Sequence, residues 1–435
     1  MAKIDPYKLR KDFPIYTNTP TIDGKPLCYL DNAATSFKPL SVIQAQDYYY
    51  LYETANAHRG DYKLAHDVDV LYEKARETVA KFINANKNEI AFTSGTSMSL
   101  NTVAFGLENL LEEGDEILLS EAEHASNVLP WFSISKRKNL VVKYVPLTKE
   151  GRLTVENFEK SLTPKTKVVS LAMVTNVLGY QVDIKTLCKI AHEHGCYFVC
   201  DGAQSVPHQK TDVKDLDIDF LAFSGHKMLG PTGIGVLYGK FELLKKLDPL
   251  LSGGGMSTRF DTCGDITYQL PPYKFEAGTQ NIAGALGLAA ACDYLSAIGM
   301  DEIEAYERDL RKYCIQKLDE LDNIIIYNHD ADNGIITFNV KGVNSQDAST
   351  LLASKGVCVR SGQHCAKILL DFLHTDSTIR ASFYFYNTKE DVDQFVEAVK
   401  QGGNFLDAYF LWSKYVKRNY HGQLSESKKF QRGWW

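Results

Sequence analysis

Seven short apolar runs, at 89–93, 116–120, 140–145, 168–174, 197–200, 220–223 and 234–238, alternate with helical stretches from about residue 66 onward. Several are unbroken apolar stretches, the pattern of strands covered on both faces. Between two of them, 184–194 has helical periodicity and stops at Gly195, suited to the left-handed residue after a helix. Alternation on this scale predicts an α/β architecture, a mostly parallel sheet with helices on both faces. A chain of 435 residues exceeds one ordinary core, so a second unit is expected. The texture changes where that unit should be. After SGGGM at 252–256 and Pro271-Pro272, a long helix spans about 283–299. A helix at 301–321, strands near 323–327 and 334–340, a helix at 345–355, a strand at 356–360 and a helix from 388 then read as α+β. The expected organisation is a large domain at 1–293 and a smaller α+β domain at 294–411. Residues 1–22 would be an N-terminal arm on the small domain, and 412–435 a basic, aromatic tail.

With 44% hydrophobic and 23% charged residues, a packed interior is expected. A net charge of −6 argues against a dedicated nucleic-acid protein. The opening MAKIDPYKLRKDFPIY carries charge throughout, unlike a secretory signal, and no stretch has the ~18 uninterrupted apolar residues of a spanning helix. The nine cysteines are scattered and odd in number, which reads as cytosolic thiols and a cytoplasmic protein, without a disulfide framework or a metal site. Cys188, Cys196, Cys200 and Cys292 fit as small core residues.

In an open α/β sheet ligands gather beyond the carboxyl ends of the strands, and four strand ends here carry unusual polar residues. FTSGTSMSLN places Ser94, Gly95, Thr96 and Ser97 between a strand and a helix, where free N–H groups can hold a phosphate; a plain helix cap explains the same turn. In YFVCDGAQSVPH, Asp201 ends an apolar strand, where a charge needs a partner such as a cationic ring nitrogen, and Gln204 could bond a ring hydroxyl. An N-cap is the alternative for Asp201. LAFSGHKMLGPTGIG puts Lys227 at a third strand end before a Gly/Pro turn, with Ser224 and His226 near enough for phosphate contacts. A desolvated lysine there can form a Schiff base. A lone strand-end lysine is usually a surface residue, but this context, 26 positions after Asp201, favours chemistry. SEAEHASN supplies His124, structural if taken alone, able to stack on a ring and shuttle a proton if beside one. Together these describe a pyridoxal 5′-phosphate site. Arg380, expected just before a small-domain strand, has the fork that suits a carboxylate. Cys365 sits in RSGQHCA, a loop with Gly362 and His364 near positive charge, where thiolates are reactive.

The ordered set DNAATSFKP, NAHRG, EHASN, TNVLG, CDGAQSVPH, SGHKMLGPTGIGVLYG, FEAGTQN, RSGQHCA and IRASFYFYN resembles SufS-type cysteine desulfurases, over about residues 5–410. The resemblance implies a fold-type I pyridoxal-phosphate enzyme acting as a homodimer on L-cysteine. Residue by residue, it implies Lys227 as the Schiff-base lysine, Asp201 and Gln204 as ring partners and His124 as the stacking histidine. Thr96, Ser97, Ser224 and His226 would hold phosphate, with Thr279 reaching in from the second subunit. Arg380 would clamp the substrate carboxylate, with Asn176, Arg360 and His58 also at the substrate. Cys365 would be the persulfide-forming nucleophile. The short loop from Cys365 to Arg380 is similar to the subgroup that hands sulfur to a separate SufU- or SufE-like acceptor for iron–sulfur cluster assembly. Rival readings are a selenocysteine lyase or cysteine-sulfinate desulfinase with the same site, an aminotransferase with no use for Cys365, and a non-catalytic sulfur-carrier scaffold.

Overall fold

The structure, a computed structural model, describes residues 4–57 and 60–401. The seven expected runs correspond to seven strands with ends shifted by at most two residues: β1 Ile90–Thr93, β2 Glu116–Ser120, β3 Val141–Val145, β4 Thr166–Ala172, β5 Tyr197–Asp201, β6 Phe220–Ser224 and β7 Gly235–Gly239. They form one sheet in the order β1-β7-β6-β5-β4-β2-β3. β7 is antiparallel to β1 and β6, and the remaining neighbours are parallel. Every residue of β2, β6 and β7 is buried, which is why these strands show no alternation, whereas β3 at the sheet edge is partly exposed.

Helix Ile282–Ile298 packs on helices Leu40–Tyr52 and Lys63–Phe82. Helix Leu40–Tyr52 escaped the sequence reading. Its apolar residues are spread around the axis and only Val42 is buried, so no stripe marks it. The boundary expected at 293/294 falls inside helix Ile282–Ile298, whose Leu295 shares the main core. The chain turns at Gly299, with φ of 99°, before helix Met300–Leu318.

The second sheet has β8 Ile324–Ile326, β9 Ile335–Val340, β10 Arg360–Gly362 and β11 Thr378–Ser382, antiparallel in the order β8-β9-β11-β10. The single strand expected at 356–360 is two pieces, because Val357–Cys358 pairs in parallel with Cys28–Tyr29 while Arg360–Gly362 pairs with β11. Arg380 lies in the middle of a strand, not before one, and is fully enclosed by its neighbours. The N-terminal segment lies against this part of the molecule. Arg10 Nε donates to the Tyr386 carbonyl at 2.7 Å and its guanidinium pairs with Asp391, while Phe13 is buried against Tyr294 and Tyr386. The tail at 412–435 lies outside the described residues. Among those described, no single helix is long and apolar enough to cross a membrane.

One buried ion pair fastens the loop that carries Thr279. Arg76 is fully enclosed and Nη2 donates to Glu276 Oε2 at 2.9 Å, while Tyr72 Oη and Phe92 N donate to the same carboxylate at 3.0 and 2.8 Å. Every oxygen of Glu276 is thereby satisfied, the condition for keeping such a charge inside.

Candidate active site

A cavity of about 210 Å³ opens beyond the ends of β4, β5 and β6 and is closed on one side by β10 and β11. It collects Thr96, Ser97, His124, Asn176, Asp201, Gln204, Ser224, His226, Lys227, Arg360 and Arg380 from the expected set. Strand ends bring most of these together, as the strand order requires.

At one end, helix Thr96–Glu108 starts directly after β1. Ser224 Oγ accepts from Thr96 N at 2.8 Å and lies 2.7 Å from Thr96 Oγ1, and Ser97 Oγ is 2.6 Å from Ser126 Oγ. Gly235 permits the close approach of this turn to β7, since a Cβ there would meet Gly95 Cα at 2.4 Å. Free helix N–H groups, hydroxyls and the helix dipole make this end an anion cradle. Burial, reinforced by Lys227 and Lys38, lowers His226 to about 4, so its ring is neutral.

Lys227 ends the 3₁₀ turn Gly225–Lys227 after β6. Burial lowers its ammonium to about 8, with Arg380 and Arg360 acting in the same sense and Asp201 and Cys365 against it. The residue's main chain is held by an arrangement invisible in the sequence. The carbonyl of His226 accepts from Ser36 N at 3.0 Å, Thr35 Oγ1 at 3.0 Å and Lys38 Nζ at 2.8 Å.

Asp201 is buried at the end of β5 and accepts from Ala203 N at 2.9 Å, with its carboxyl raised by burial and partly countered by Lys227. Gln204 Nε2 donates to the Ala33 carbonyl at 2.8 Å, leaving its buried Oε1 without a partner. His124 Nδ1 accepts from Ser126 N at 3.0 Å, which puts the ring proton on Nε2. Burial, with Lys227, Arg380 and Arg360, lowers His124 to about 4. Behind it, Glu123 accepts from Ser120 Oγ, Asn127 Nδ2 and Ala172 N, and burial pushes its carboxyl up to about 7.

At the other end, Arg380 of β11 faces Arg360 of β10 in register. Arg380 Nη1 donates to the Asn176 carbonyl at 2.8 Å, and Asn176 Nδ2 donates to the His364 carbonyl at 2.8 Å. Arg380 Nε and Asn176 Oδ1 are buried and unpartnered. His364, unassigned in the sequence reading, also lines the cavity, with Nε2 held by the Thr378 carbonyl at 3.1 Å. Cys365 is exposed at this edge, outside the lining, and its carbonyl accepts from Ala125 N at 2.7 Å. His364 and Cys365 both have left-handed backbones, with φ of 50° and 56°. Two such non-glycine residues cost roughly 1–2 kcal/mol each, so the presentation of this thiol is specifically maintained.

Like Cys365, Thr279 is not part of the cavity lining and lies exposed in the turn after Glu276, whereas His58 falls outside the described residues. Cys263, the other exposed cysteine among the described residues, sits in the turn after strand Ser257–Phe260 and lines no part of the cavity. Burial raises the thiols of Cys188 and Cys196 to about 12 and about 11, in keeping with packing roles.

A family model described as aminotransferase class-V matches residues 28–395. The chain belongs to that family, among its cysteine desulfurases. A Halalkalibacterium halodurans protein named "Probable cysteine desulfurase" is 44% identical over 409 residues, covering 93% of this chain and 99% of the relative. A Staphylococcus aureus protein of the same name is 46% identical over 405 residues, covering 92% and 97%. Among solved structures, the apo cysteine desulfurase of Thermococcus onnurineus NA1 superposes with a TM-score of 0.86 at 40% identity, covering 92% of this chain and 99% of that one. The cysteine desulfurase CsdA of Escherichia coli superposes with a TM-score of 0.84 at 38% identity, covering 92% and 98%.

A class-V family member of this kind is pyridoxal-phosphate dependent, and the cavity fits that group. Lys227, depressed toward neutrality, would supply the amine. The buried carboxyl of Asp201 would suit a cationic ring nitrogen, Gln204 Oε1 is an acceptor without a partner, and Thr96, Ser224 and the helix start would hold the phosphate.

Proposed function

We propose that this protein is a SufS-type cysteine desulfurase that converts L-cysteine to L-alanine and carries the sulfur as a persulfide on Cys365. The observation that carries the reading is the placing of an exposed cysteine, on a doubly left-handed turn, at the edge of a cavity holding Lys227 and the Arg380 fork. Bound pyridoxal phosphate supplies an electron sink for charge developing at the substrate Cα. Arg380 binds the substrate carboxylate through its unused Nε–H, and Asn176 Oδ1 offers an acceptor beside it. Lys227, freed as an amine, takes the Cα proton. His124, neutral with its proton on Nε2, is a donor at the same site. The Cys365 thiolate then attacks the substrate sulfur. An S–S bond forms, the Cβ–S bond breaks, and its electron pair leaves with the three-carbon fragment, which is protonated to alanine.

Because the thiol stands outside the cavity, the persulfide can pass to a SufU- or SufE-like acceptor for iron–sulfur cluster assembly, and we place this activity in the cytoplasm. A homodimer suits two features. Tyr50, Leu51 and Tyr52 expose apolar surface on one helix, and Phe260 and Leu270 do so in the segment that leads to Thr279, which is not part of the cavity lining of its own chain. The test is peptide mass spectrometry after incubation with L-cysteine, with alanine assays of wild type and Cys365→Ser. One added sulfur on the Cys365 peptide is expected, and the serine variant should retain its cofactor but make almost no alanine. Added sulfur on another cysteine, or wild-type alanine production by the variant, would sink the assignment.

A further inference from the structure

Asp31 opens the DNAATSFKP stretch and forms a loose ion pair with the arginine fork. A parallel bridge to Ser382 brings it against β11, where Ser382 N donates to the Leu30 carbonyl at 2.7 Å and Ala33 N donates to Ser382 Oγ at 2.9 Å. Its Oδ1 lies 3.6 Å from Arg380 Nη2, beyond hydrogen-bonding reach, and that buried oxygen has no hydrogen-bond partner. A carboxylate that fastened an arginine would close to about 2.8 Å and use both oxygens. Asp31 instead adds a negative charge at short range and leaves Arg380 Nε open. Arg360 and Lys227 act on the same carboxylate, so it offsets part of the positive potential that receives a substrate anion.

We propose that Asp31 is a specificity-determining residue, restricting the site to amino acids with one carboxylate and an uncharged side chain and disfavouring a second anion such as a sulfinate. This rests on the desulfurase reading. A fixed potential acts on every charge of a ligand, so a sulfinate or carboxylate on the side chain meets a repulsion from Asp31 that an uncharged side chain does not.

The test uses the holoenzyme with L-cysteine and L-cysteine sulfinate, in wild type, Asp31→Asn and Asp31→Glu. The sulfinate-to-cysteine ratio of kcat/KM should rise roughly ten-fold in Asp31→Asn, mainly through KM for the sulfinate, the size expected for one charge removed at several ångströms. Asp31→Glu should leave the ratio near the wild-type value. An unchanged ratio in Asp31→Asn overturns the proposal. A second measurement needs no variant: L-aspartate should compete with cysteine roughly ten-fold more weakly than L-serine in wild type, and equal competition also overturns it. If wild type makes no alanine from cysteine, the desulfurase reading fails. The serine–aspartate comparison, made then in both wild type and Asp31→Asn and read from the visible absorption of the bound cofactor, still decides the role of Asp31: the preference for serine should shrink in the variant, and an unchanged preference overturns the proposal.

Discussion

Arg380 Nη1 donates to the backbone carbonyl of Asn176 at 2.8 Å, fastening the arginine of the small sheet to the loop after β4 of the large one. The side chain of Asn176 continues the link to His364, next to Cys365. One short chain of hydrogen bonds thus ties carboxylate recognition to the presentation of the nucleophile.

Arg380→Ala should therefore raise KM for L-cysteine far more than it weakens cofactor binding. Loss of a charge-assisted carboxylate contact costs about 2–3 kcal/mol, a fall of roughly 30- to 150-fold in kcat/KM. Steady-state kinetics beside cofactor titration separate the two effects. Unchanged kinetics would place the substrate carboxylate elsewhere.

Lys227→Ala should remove both turnover and the visible absorption of lysine-bound cofactor. The argument is geometric: Lys227 is the amine at the end of β6, in a turn held by Ser36, Thr35 and Lys38. A variant with native colour and activity would show that another lysine carries the cofactor.

His124 should not titrate near neutrality. Burial lowers it to about 4 from an ordinary 6.5, so between those values the unfolded chain binds the proton and the folded one does not. Stability from this site is intact above pH 6.5 and is lost as pH falls toward 4. Relative to His124→Asn, cofactor-free wild type should lose about 2 kcal/mol between pH 7 and pH 5. Urea unfolding at the two pH values measures the difference, and a constant difference would contradict a neutral, buried ring.

Arg76→Met should destabilise the fold by about 3–5 kcal/mol, because it leaves the Glu276 carboxylate buried and unpaired. Thermal unfolding reads the loss. Arg76→Met with Glu276→Leu should recover a large part of it, and a double variant as unstable as the single one would argue against an uncompensated charge as the cause.

Periodicity made the central sheet legible. Seven apolar runs became seven strands, because strands covered on both faces must be apolar throughout. Helix Leu40–Tyr52 was not legible, since it buries only Val42 and exposes tyrosines, a surface that the residues themselves do not explain. The split at 356–362 escaped for a related reason. A strand that changes partner mid-course, from Cys28–Tyr29 to β11, keeps one uniform pattern in sequence.

The sequence by itself determined the α/β sheet, the polar residues at its strand ends and, through its motifs, the family and the cofactor. Those features are local: a strand end, a turn glycine and a reactive side chain lie within a few residues of one another. Tertiary structure alone decided which groups act on each other. Asp31 meets Arg380 across almost 350 positions, four donors from residues 35–38 converge on the carbonyl before Lys227, and Asn176 joins Arg380 to the Cys365 turn. Hydrogen bonds and charges act over a few ångströms of space, and separation along the chain carries no record of that distance.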